Sequence, residues 1–149
     1  MEALRHLHPL FRGDEDPGTR DNAAGALARI VSAAGAAVPL DQAIPVLLGA
    51  LPLREDHGEA EAVFGCLASL VTGEHAPAAA PFVPGIVAAF GAAVANDDVP
   101  AGVKGSIGAT VASLHAAYPS EMRPLVEGLP REQQEALWSA AAARGSGAS

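Results

Sequence analysis

The chain has 149 residues, half of them apolar and only 4% aromatic, with nine Lys and Arg against 17 Asp and Glu and a net charge of −8. A chain of this length and apolar content buries a core and is not a disordered segment. An acidic balance with a single lysine argues against direct contact with nucleic-acid phosphates, and one lone cysteine provides neither a disulfide framework nor a thiolate metal site.

In chain order, LRHLHPLF at 4–11 puts Leu4, Leu7, Leu10 and Phe11 on one stripe directly after Met1. Only the next helix is available to cover that stripe. The chain therefore reads as the C-terminal piece of a longer array, with Met1 not its natural beginning. The acidic turn GDEDPGT follows at 13–19, with Asp16 as helix cap before Pro17. The helix RDNAAGALARIVSAAG then groups Ala24, Leu27, Ile30, Val31 and Ala34 on one face.

AIPVLLGALPL at 43–53 leads into the turn REDHGEA, where Asp56 and Glu59 resemble a capping box. The next helix places Val63, Phe64, Leu67, Leu70 and Val71 together, with Cys66 as a buried structural thiol. Residues 76–95 carry no charge and mimic a membrane span. Pro77, Pro81 and Pro84 break the first half, leaving about 12 to 14 helical residues, too few for a bilayer and suited to a buried helix.

The third acidic turn, NDDVPAG at 96–102, where Asp98 before Pro100 reads as a helix cap, precedes a helix whose Val103, Ile107, Val111, Leu114 and Tyr118 share a face. SEMRPLVEGL and PREQQEALWSAAAAR form a last, more charged pair. Pro130 opens its second helix, Glu132 lies in the first turn, and Trp138 reads as the anchor of this terminal cap or, if exposed, as a docking site. RGSGAS reads as a frayed end.

Asp16, Asp56 and Asp98 mark a repeat, with separations of 40 (56 − 16) and 42 (98 − 56). A helix pair, an acidic turn and a period near 40 are the signature of HEAT-type repeats. The expected fold is all-α, an α-solenoid of antiparallel helix pairs spanning 1–144 as 1–36, 40–74, 80–118 and 120–144, with a disordered tail at 145–149. No catalytic constellation is present. His6, His8, His57, His75 and His115 are scattered, and the glycines of AGVKGSIG lie within a helix without the phosphate-loop pattern. A non-enzymatic chain without metal or cofactor is expected.

Three blocks carry a family resemblance. TRDNAAGALARI is similar to an RDN-x-x-GALAR segment of the importin-4 branch of the β-karyopherins. ALPLREDHGEAEAVFGCL resembles the ALPLKED turn and helix of the importin-4 and importin-5 type, and LPREQQEALW resembles their closing short helix. The resemblance implies C-terminal HEAT repeats of a right-handed superhelix. It implies a monomeric nuclear import receptor that shuttles between cytoplasm and nucleus with basic protein cargo such as core histones and ribosomal proteins. Ran-GTP and nucleoporins would be engaged by the rest of the receptor, with no nucleic acid or membrane contacted directly.

HEAT repeats place an Asp in the turn and a base early in the second helix, bonded along the stack. Asp16 (or Asp14) with Arg20 and Asp98 with Lys104 fit this ladder, whereas the second repeat has Glu59 and Glu61 where a base is expected. Asp21, Asn22, Glu59 and Glu61 are the candidate cargo-binding residues. The carboxylates would face Lys or Arg of the cargo, and the Asn22 amide would hold an extended backbone. The competing reading makes the acids ordinary first-turn residues favoured by the helix dipole. A structural end-cap, or a HEAT scaffold without cargo contact, is the alternative function.

Overall fold

The computed structural model describes residues 17–34, 39–51, 53, 57–73 and 75–147. Its elements are α1 (Pro17–Ala34), α2 (Leu40–Gly49), a 3₁₀ turn (His57–Glu59), α3 (Ala60–Thr72), α4 (Ala76–Ala79), a 3₁₀ turn (Ala80–Phe82), α5 (Val83–Val94), α6 (Ala101–Ala117), α7 (Pro119–Glu127) and α8 (Arg131–Gly147). The fold is all-α, of the helical-repeat kind, and no strand occurs among the described residues. The chain divides into two units, residues 1–82 and 83–149. The stripe at 4–11 and the turn residues Asp14, Asp16 and Asp56 lie outside the described residues.

In the first unit, α1 begins at Pro17, where the missing amide hydrogen would have had no helical partner anyway. It buries Ala23, Ala24, Leu27, Ala28 and Val31, while Ile30 is only half-buried. The α2 helix carries Pro45 on its exposed side, which removes one ladder bond. Burial of Leu40, Ala43, Ile44 and Leu47 holds it instead, at roughly 1.5–3 kcal/mol for each large apolar side chain.

Of the capping box expected at Asp56 and Glu59, Asp56 lies outside the described residues and only Glu59 is described. This residue is the N-cap of α3 in helical geometry and makes no side-chain cap bond. The helix starts directly from the 3₁₀ turn and buries Val63, Phe64, Cys66, Leu67, Leu70 and Val71. The main packing of the unit is α1 against α3, with α2 and α4 closing its flanks. Helices one repeat apart therefore bury each other's apolar faces, as stacked repeats require.

The uncharged run 76–94, which begins in the first unit and ends in the second, is long and apolar enough to cross a membrane by length and composition. It is not a continuous α-helix, because the 3₁₀ turn Ala80–Phe82 interrupts it. Its α5 portion buries Ile86, Val87, Phe90, Ala93 and Val94, so that face is occupied inside the second unit. The α6 helix departs from the expected cap. Pro100, not Asp98, is its N-cap, and the Lys104 amide donates to the Pro100 carbonyl at 3.1 Å. The Asp98 amide donates to Asn96 Oδ1 at 2.9 Å, so Asp98 belongs to the turn.

The dominant packing is α6 against α8. It is close because Gly108 meets backbone: a Cβ there would lie 2.5 Å from the Ala141 nitrogen and 2.8 Å from the Ala140 carbonyl carbon. The Gln134 side-chain amide donates to the carbonyls of Leu129 (2.8 Å) and Glu127 (3.2 Å), tying α8 to the end of α7. His115 and Trp138 meet edge to face, ring centres 5.5 Å apart at 86°. Trp138 thus touches α6 through His115, as the anchor reading expects, yet the residue is 39% exposed, as the docking-site reading expects. The last helix continues to Gly147, beyond the boundary at 144 read from the sequence.

Candidate functional site

The α1–α3 packing leaves an open groove between the two helices. It is lined by Arg29 and Ser32 from α1, Gly58 from the 3₁₀ turn, and Glu61, Ala62, Gly65, Cys66 and Ser69 from α3, and encloses about 520 Å³. A further hollow of about 250 Å³ shares Ser32, Cys66 and Ser69 and extends to Gly73 and His75. On α3, the exposed Glu61, Gly65 and Ser69 recur every four residues, one wall of the groove. The lining is small and polar. A side chain at Gly65 would meet nothing within 4 Å, so the wall is set back and a ligand backbone has room to approach.

Arg29 and Glu59 set the electrostatics. Arg29 Nη2 donates to Glu59 Oε2 at 2.9 Å, with the Arg29 side chain 59% exposed and that of Glu59 14% exposed. The Glu59 carboxylate lies over Gly25 of α1, in space that any Cβ there would occupy. Glu61 is exposed and makes no ion pair among the described residues. The groove therefore carries a guanidinium already paired with a carboxylate outside its lining and, among the described residues, one free carboxylate.

The four candidate cargo residues do not form one surface. Asp21 is 1% exposed and already partnered, so it is not displayed to a ligand. Glu59 is half-buried and bonded to Arg29. Asn22 and Glu61 are exposed, on α1 and α3 respectively. Of the ladder, Asp16 and the Arg20 side chain lie outside the described residues. Asp98 is exposed, Lys104 is half-buried, and no ion pair joins them among the described residues.

The sequence reading missed Arg29 and Gly25. The signal was present: Arg29 is the one charge within an apolar string, ALARIV, whose counterpart 40 residues later (69 − 29) is Ser69. Nothing local, however, pointed Arg29 at Glu59, thirty residues away.

Cys66 forms the groove floor. Burial pushes its thiol up from the ordinary cysteine value, and a hydrogen bond from Ser32 opposes this in part. A raised folded-state value means its stabilising contribution is present below the unfolded thiol range near ~8.5 and is lost as pH rises above it. A neutral, buried thiol is a poor nucleophile. A disulfide-exchange reagent should label native Cys66 at least about tenfold more slowly than the urea-unfolded chain, and equal rates would contradict the burial.

No family model matches the chain. Fifty-nine residues, 40% of the chain, are 34% identical to a probable importin subunit beta-4 of Schizosaccharomyces pombe. The chain corresponds to only a small part of that relative, the matched stretch covering 6% of its length. Importin-like sequence, on an all-α helical-repeat fold, is thus what this chain is similar to.

Proposed function

We propose that this chain is a non-catalytic, ligand-contacting segment of a karyopherin-type transport receptor, and that its α1–α3 groove takes extended basic segments of protein cargo. The observation that carries the reading is the exposed, unpaired Glu61 on a groove walled by Gly65, Ser69 and Ser32. A carboxylate above a set-back wall attracts a Lys or Arg while leaving space for the backbone that bears it. Asn22, exposed on α1 but outside the groove lining, would contact only a segment that extends beyond the groove. The importin similarity supports the same reading. Core histones and ribosomal proteins are the cargo class of matching charge. Shuttling between cytoplasm and nucleus, with Ran-GTP and nucleoporins engaged elsewhere on the receptor, completes the proposal.

The test is fluorescence anisotropy of a labelled lysine- and arginine-rich histone-tail peptide, titrated with the chain at low and physiological ionic strength. Affinity should fall steeply with salt. Glu61→Gln should weaken binding about three- to tenfold at low salt. Gly65→Gln should also weaken it, by filling the groove. Binding that ignores both salt and these substitutions overturns the reading.

A structural end-cap is the second reading. It is favoured by the internal use of Asp21 and Glu59, two of the acids the sequence offered to cargo. It predicts no binding of the basic peptide, and a lowered melting temperature of the parent receptor when this segment is deleted.

A further inference from the structure

Arg29 lines the groove that the proposed function assigns to basic segments, its partner Glu59 follows the lining residue Gly58 in the chain, and the inference rests on that reading. Glu59 is the more shielded partner, 14% exposed, with its carboxylate seated over the bare backbone of Gly25. Arg29 reaches it from α1, one turn after Gly25, and its own side chain is 59% exposed. Arg29 also lines the groove opposite Glu61. One guanidinium thus does two things. It satisfies a carboxylate that would otherwise be left largely buried and uncompensated, and it places positive charge where a cationic ligand must lie.

We infer that Arg29 is an internal stand-in for a basic ligand, and that an incoming arginine or lysine takes Glu59 from it. The exchange swaps one cation for another on the same carboxylate, so the shielded charge stays compensated, while the displaced and largely exposed Arg29 guanidinium is solvated. It requires only rotation of an exposed side chain, with Gly25 keeping the Glu59 seat open throughout. Arg29 is therefore a specificity-setting residue. It raises the threshold for binding, so that weakly cationic segments do not displace it and strongly cationic ones do.

The experiment compares wild type, Arg29→Gln, Glu59→Gln and the double variant for binding of a labelled arginine-rich peptide, with thermal unfolding as a control for folding. Arg29→Gln should bind about three- to tenfold more tightly than wild type, because repulsion is removed and Glu59 is freed. The double variant should lose that gain, and melting should stay within a few degrees of wild type. Unchanged or weaker binding by a folded Arg29→Gln overturns the inference, whatever the wild type does. The proposed function fails separately if wild-type affinity is indifferent to Glu61→Gln. Tightening by Arg29→Gln that persists in the double variant also overturns the exchange at Glu59.

Discussion

Gly108→Ala is expected to destabilise the second unit by about 1–3 kcal/mol, and Gly108→Val by more. Alanine ordinarily stabilises a helix relative to glycine, by roughly 0.5–1 kcal/mol. Here the sign reverses, because the added Cβ would lie 2.5 Å from the Ala141 nitrogen of α8. A neighbouring side chain can rotate away from such a contact, but a backbone atom cannot. The helices must separate, and the apolar interface of α6 and α8, with Ile107, Val111 and Leu137 buried, loosens with them. Gly102, on the same helix, has nothing within 4 Å of its Cβ position. Gly102→Ala should be neutral or slightly stabilising. Urea unfolding followed through Trp138, the single tryptophan, reports directly on α8. Melting of Gly108→Ala should fall by about 3–10 °C. A Gly108→Ala variant as stable as wild type would show that α6 and α8 are not in backbone contact there.

Asp21→Lys is expected to unfold the first unit without reporting on binding. Asp21 is 1% exposed and partnered. Lysine there would bury an uncompensated charge and strand the former partner, at a cost of about 3–5 kcal/mol. The adjacent Asn22 is exposed, and Asn22→Lys should change stability by no more than about 0.5 kcal/mol. Circular dichroism melts of the two variants separate these outcomes. A cooperative, wild-type-like transition in Asp21→Lys would contradict the burial. The contrast also governs how binding is tested, since charge reversal at Asp21 would mimic lost affinity by losing the fold. Glu61 is the substitution that reads the ligand.

The helices themselves were legible in the residues. Leu27 with Val31, Val63 with Leu67 and Leu70, and Ile107 with Val111 and Leu114 recur at helical spacing, and all are buried. Proline at 17 and 130 marked two helix starts, because its geometry favours a first turn. Cap positions were less legible at Asp98 and Glu59. In both cases the local string allowed a cap, but the side chain or amide found another partner.

What no local pattern supplied was the fate of polar residues at the edges of the apolar faces. Asp21 and Glu61 stand at equivalent repeat positions, 40 residues apart (61 − 21), yet one is buried and the other exposed. Helical periodicity states which face is apolar. It does not state how a neighbouring helix is rotated or how near it comes, and those two quantities decide whether a boundary side chain is covered. The same holds for Gly25 beneath Glu59, for Arg29 across thirty residues, and for Gly108 against Ala141. Periodicity, composition and punctuation, which act over a few residues, gave an all-α chain with its core faces. The groove and its charges came from the approach of helices distant in sequence, because close packing is a property of two surfaces and neither encodes it alone.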